Sequence, residues 1–172
     1  MAHGFTRLML TFFLATPFVW GTAAIALAPA KGKVILTVSG AIAETNAAET
    51  AVFDLAMLEK LPQSNFTTTT PWARQPIKFT GPLLRDVLAA AKIKASGTRI
   101  IVRAGNDYQV EIPISDAMQF ELLLAHKMDD RPIPERTKGP LFLIYPFDAH
   151  PELRGDVYYD RAAWQVKSLR VE

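Results

Sequence analysis

The chain has 172 residues, 49% of them apolar, with 19 Lys and Arg against 17 Asp and Glu and no cysteine. That length and apolar content support one domain with a sizeable core, and the near-balance of charge argues against a nucleic-acid partner, which a basic excess on one face would mark. The missing thiols exclude disulfides, thiolate metal sites and cysteine nucleophiles.

The chain opens with Arg7, then an apolar run from Leu8 to about Leu27, and no acidic residue precedes Glu44. A basic start, an apolar middle and the small-residue exit Ala24-Ile25-Ala26 read as a secretory signal peptide over residues 1–26. An uncleaved anchor is the alternative, because the run nears the roughly 20 residues a bilayer needs. Either reading puts residues 27–172, one domain, outside the cytoplasm, in the periplasm or secreted. Losing Arg7 leaves 18 basic side chains against 17 acidic ones.

Val34–Ser39 is β-branched and predicts a strand ending in a turn at Gly40. Ala51–Asp54 is short and extended. Asp54 then caps a helix over 55–61, with Pro62 as its stop. Phe66 and Thr67–Thr70 favour extended chain. Pro71 and Pro76 break the chain into a loop, and Ile77-Lys78-Phe79 is a short strand. Gly81-Pro82 opens a helix whose Leu83, Leu84, Val87, Leu88 and Ala91 share one face. Arg99–Ala104 and Tyr108–Ile112 form a hairpin. Ser115 caps a helical turn through Gln119. Glu121–Lys127 and Leu141–Tyr145 read as strands. A long polar loop from Asp148 to Arg161 follows, and Trp164–Val171 closes the sheet. The predicted class is α+β, with a mixed β-sheet core and only two clear helices.

Several segments together carry a resemblance. They are Phe53-Asp54-Leu55 with Leu61-Pro62-Gln63; Phe79-Thr80-Gly81-Pro82-Leu83-Leu84-Arg85-Asp86-Val87-Leu88; Asn106-Asp107-Tyr108 with Ile112-Pro113; Leu123-Leu124-Ala125 through Asp129-Asp130-Arg131-Pro132-Ile133-Pro134; and Lys138-Gly139-Pro140 into Leu141–Pro146. In this order they resemble the molybdopterin-binding domain of the sulfite oxidase family over roughly residues 34–172. The resemblance implies a mixed-sheet α+β fold and an extracytoplasmic oxidoreductase family using molybdopterin, with molybdenum held by one cysteine thiolate. Counting back from Gly81 puts that cysteine near Thr69. A hydroxyl there is a poor replacement for a soft sulfur ligand, so the missing cysteine speaks against the cofactor. The family also commonly carries a basic residue in the strand where this chain has Phe142.

These considerations single out Thr68, Thr69, Thr70, Trp72 and Arg74 as ligand-binding candidates, since hydroxyls, an aromatic face and a guanidinium suit an anionic or planar ligand. Asp107 and Tyr108 are candidates for the same cleft, with plain turn and strand roles as the alternative. Tyr158, Tyr159, Arg161 and Trp164 have the composition of a partner surface, or of a loop packing its own aromatics. His126 reads as a half-buried structural histidine, Asp129-Asp130 as a turn, and Asp148 with His150 as too few ligands for a metal. Asn65-Phe66-Thr67 matches a glycosylation acceptor, relevant only to a eukaryotic secretory route. No catalytic residue or metal ligand is assigned. The expectation is an exported, non-catalytic module that binds a small molecule, or another exported or membrane protein, in the former cofactor cleft. The alternatives are a molybdenum-dependent oxidoreductase and an accessory subunit of one.

Overall fold

The computed structural model describes residues 27–105 and 107–172; the leader expected at 1–26 lies outside them. The fold is α+β, with three sheets and short helices around one core. β1 (Val34–Gly40) pairs antiparallel with β2 (Ala51–Asp54). Asp54 caps α1 (Leu55–Lys60), its Oδ1 accepting from the Met57 amide at 2.8 Å. Its Oδ2 accepts from the amides of Lys31 and Gly32, tying the incoming chain to the sheet.

β3 (Gln63–Thr68) and β4 (Ile77–Pro82) form a long antiparallel pair. The next helix, α2 (Leu84–Ala90), begins two residues beyond the expected Gly81-Pro82 opening. Pro82 instead ends β4, in register with Gln63 at the start of β3, a strand-end position where proline is tolerated. The predicted apolar face is correct: Leu83, Leu84, Val87, Leu88 and Ala91 are all buried. Gly81 has a different job from opening a helix. A Cβ there would stand 2.8 Å from the Ala125 Cα and closer still to the Leu124 carbonyl.

β5 (Arg99–Ala104) and β6 (Gln109–Pro113) make the expected hairpin. α3 (Ile114–Gln119) follows directly on Pro113, so Ser115 lies within the helix and does not cap it. The strand expected over 121–127 divides into β7 (Leu123–Ala125) and β8 (Lys127–Met128), and β8 turns through Asp129-Asp130 into β9 (Arg131–Pro132). Both aspartates have positive φ. Asp129 accepts from the Lys78 amide and Asp130 pairs with the Lys78 ammonium, so the pair forms a turn.

β10 (Phe142–Ile144) is wholly buried between β7 and β11 (Ala163–Trp164). The expected polar loop before β11 is in fact structured. It holds a 3-10 turn, Pro151–Leu153, and a helix, α4 (Asp156–Arg161). The single strand expected over Trp164–Val171 is broken at Gln165, which has positive φ, so that β11 and β12 (Val166–Val171) belong to different sheets. β12 does not close an edge. It lies at the centre of the five-stranded order β2-β1-β12-β5-β6, parallel to β1 and antiparallel to β5.

Candidate functional site

The threonine run ends β3 and leads into the site. Strand alternation buries Thr68 and leaves Thr67 and Thr69 exposed. The Thr68 hydroxyl accepts from the Asp148 amide at 3.1 Å. Thr69 donates twice to the Asp148 carboxylate, from its hydroxyl at 2.6 Å and its amide at 2.7 Å. Arg154 donates to the same carboxylate at 2.7 Å and to the Phe147 carbonyl. The Thr69 hydroxyl bond, with the Thr69 amide and Arg154 behind it, holds the Asp148 carboxyl below the usual carboxylate range. Thr68, Thr69, Asp148 and Arg154 thus clasp two loops together. The hydroxyls of Thr68 and Thr69 are thus engaged, and the backbone carbonyl of the buried Thr70 accepts from the Ala73 amide to close a turn over Pro71-Trp72.

That turn, with proline at its second position as turn geometry favours, carries Trp72 into the body. Its ring meets Phe142 at 6.2 Å, Phe147 at 6.5 Å, Tyr159 at 6.1 Å and Trp164 at 5.7 Å, mostly in edge contacts, the geometry the ring quadrupole prefers. The Lys138 ammonium lies 5.8 Å from the Trp72 ring, 5.5 Å from Phe142 and 5.0 Å from Trp164. Desolvation there lowers its pKa. The aromatics near α4 therefore pack on one another and on Trp72, although Tyr159 and Trp164 each keep an open side. Tyr158 and Arg161 lie elsewhere: Tyr158 packs on Phe120 and Tyr145, and the Arg161 guanidinium stacks over Tyr158.

A small pocket of about 200 Å³ lies beside this cluster, lined by Trp72, Tyr108, Tyr159, Asp160, Ala162, Ala163 and Trp164. The Tyr108 hydroxyl donates to the Asp160 carbonyl. Burial, then the Asp160 charge, raise the Tyr108 pKa. Of the predicted candidates the pocket gathers Trp72, Tyr108, Tyr159 and Trp164. Asp107 is an exposed turn residue of positive φ. Arg74 is exposed, stands outside the pocket lining and makes no hydrogen bond or ion pair among the described residues.

The sequence profile of the oxidoreductase molybdopterin binding domain matches residues 36–148. The chain belongs to that family. Among solved structures, the sulfane dehydrogenase SoxCD from Paracoccus pantotrophus superposes with a TM-score of 0.62 at 16% identity, over 79% of this chain. The match spans 37% of that dehydrogenase chain, so the likeness is one of fold. No curated protein matches at the sequence level.

The cofactor that gives the molybdopterin-domain family its name needs ligands that this chain does not offer. A molybdenum centre favours a soft thiolate, and the chain contains no cysteine. The Thr69 hydroxyl is committed to Asp148, and Phe142 is buried beneath Trp72 where the resemblance calls for a basic residue. Three cations near the cluster are also committed, Arg154 to Asp148, Arg161 to Asp116 and Lys138 to the rings, while Arg74 stands outside the pocket lining. These residues do not fit a metal–pterin group.

One buried polar cluster escaped the sequence reading, and two histidines that it weighed can now be placed. Asp116 on α3 is buried and accepts from the Tyr145 hydroxyl and the Arg161 guanidinium, both at 2.8 Å. Burial and the Asp116 charge push the Tyr145 phenol far up. His126 is buried as expected, with its Nε2 3.0 Å from the Gln63 Oε1. The Gln63 amide donates to the Leu58 and Leu61 carbonyls, which fixes its oxygen toward the ring and makes the His126 Nε2 a donor. His150 pairs with Glu152 and packs its ring on Phe120. Among the described residues no group of three His, Asp or Glu side chains is arranged to hold a metal. The pairing of Thr69 with Asp148 left no sequence signal, because the two lie 79 positions apart along the chain.

Proposed function

We propose that this chain is an exported, non-catalytic binding module that keeps the molybdopterin-domain fold and binds a small molecule, or one side chain of another exported or membrane protein, in the pocket beside Trp72. The observation that carries this reading is the replacement of a metal ligand by the Thr69–Asp148 clasp in a chain with no cysteine. The packing of Trp72 against Phe142, Phe147, Tyr159 and Trp164 supports it, because these rings fill the interior side of the cleft. The remaining space is smaller than the roughly 300 Å³ at which pockets for drug-sized ligands begin, which favours a compact group.

The test is metal and pterin analysis of the full chain, expressed with its leader in a molybdenum-replete bacterium that exports molybdenum enzymes. The expected result is substoichiometric molybdenum and no pterin chromophore. Stoichiometric metal with pterin would overturn the reading.

A further inference from the structure

We propose that the pocket beside Trp72 recognises an organic cation, an alkylammonium or guanidinium group, seated among the rings of Trp72, Tyr108, Tyr159 and Trp164 and beside Asp160. This rests on the binding-module reading above and names its ligand class.

Four rings converge on one space of about 200 Å³, room for a group of a few heavy atoms. Aromatic faces attract cations through the ring quadrupole, most strongly for tryptophan. Two of these indoles already do so within the chain: the Lys138 ammonium lies 5.8 Å and 5.0 Å from the Trp72 and Trp164 rings, and Lys138 is not among the pocket-lining residues. Among the described residues that line the pocket, the acidic Asp160 is the only charged one. Its carboxylate makes no ion pair or hydrogen bond among the described residues; its neighbour Arg161, which might have neutralised it, is turned to Asp116 at 2.8 Å. The Tyr108 hydroxyl donates to the Asp160 carbonyl, which ties these two lining residues together. A pocket meant for an anion would carry the reverse charge, and one meant for a purely apolar group gains nothing from an unpaired carboxylate in its lining.

The experiment titrates the full chain with tetramethylammonium chloride, with n-butylammonium chloride and with neopentyl alcohol, the uncharged carbon analogue, at constant ionic strength. The signals are the indole N–H resonances of Trp72 and Trp164. The expected result is saturable binding of a cation at least about fivefold tighter than the alcohol, with Asp160→Asn removing most of that difference and leaving alcohol binding unchanged. Asp160 is exposed, so the variant tests charge without disturbing the core. Preference for n-butylammonium assigns the site to a lysine side chain of a partner protein; preference for tetramethylammonium assigns it to a free quaternary ammonium compound. Equal affinity for cation and alcohol, an Asp160→Asn variant with unchanged selectivity, or no saturable shift overturns the proposal. Those results in metal-free protein leave the binding-module reading standing, whereas stoichiometric molybdenum removes that reading whatever the cations do.

Discussion

Arg161 sits among aromatic residues, yet its guanidinium belongs to a carboxylate. It reaches Asp116, a buried acid that also accepts the Tyr145 hydroxyl, and so joins α4 to α3 and β10. Removing one partner of a buried pair strands the other charge, a far larger effect than losing a surface ion pair. Arg161 keeps 22% side-chain exposure, which lets water relieve part of the cost. Arg161→Leu should therefore destabilise the fold by about 2–3 kcal/mol, read as a lower urea midpoint at unchanged slope. Adding Asp116→Asn, which keeps an acceptor for Tyr145 without the charge, should recover much of that loss. A single variant no worse than wild type would show that the pair contributes nothing. The residue types around α4 were visible in the sequence, but their partners were not. Spacing cannot reveal that residues 116 and 161 meet, nor that Thr69 answers to Asp148.

At the scale of elements, the Gly81-Pro82 pair shows what a motif does and does not say. It marks the passage from β4 to α2, and the apolar face of α2 followed from spacing alone. Its physical role is contact between backbones, because β4 passes so close to β7 that no side chain fits at position 81. Gly81→Ala must push the two strands apart, disturbing the β7–β10 pairing beneath Trp72. The expected loss is about 2 kcal/mol or more, in the range of overpacked cores, with a weakened near-UV dichroism from the aromatic cluster. An alanine variant of wild-type stability would mean the strands separate freely. Elements with local signals were legible: β1, the Asp54 cap on α1 and the β5–β6 hairpin. α4 was not, because Val157, Tyr158 and Tyr159 are poor helix formers by intrinsic preference and the tertiary bonds of Tyr108 and Arg161 hold it in place.

At the scale of the molecule, His126 links stability to pH near neutrality. Burial, with help from Lys127, lowers the His126 pKa below its ordinary 6.5, and the Glu59 charge only partly opposes this. The unfolded chain then binds a proton that the folded chain refuses, so stability rises with pH through the window from the depressed folded pKa up to 6.5 and is flat above it. The carboxylates of Asp54 and Asp148 are shifted downward and act in a separate, more acidic window: their contribution is present above the ordinary value of 3.8 and is lost as pH falls below it. Urea unfolding between about pH 5 and pH 8 should show a midpoint that climbs to neutrality and then levels. His126→Gln should abolish the climb. A climb that survives the substitution would place the titrating group elsewhere. The same scale sets the limit of the sequence reading: the α+β class and the family resemblance were legible, but the neighbour order of the strands was not, since pairing between distant segments leaves no local pattern.

The place of β12 carries a kinetic consequence. The five-stranded sheet runs β2-β1-β12-β5-β6, so its middle position is filled by the segment of highest residue number, and β1 and β5 each lack their inner neighbour until residues 166–171 arrive. Until then the β1–β2 and β5–β6 hairpins are two separate fragments with open edges, and joining them closes loops of more than a hundred residues in one direction. Chains whose contacts are so distant in sequence fold slowly, and open strand edges invite pairing with other chains. The sheet is complete only once residues 166–171 have paired with both β1 and β5, and refolding slower than that of a helical domain of this size is the expected outcome in a stopped-flow measurement.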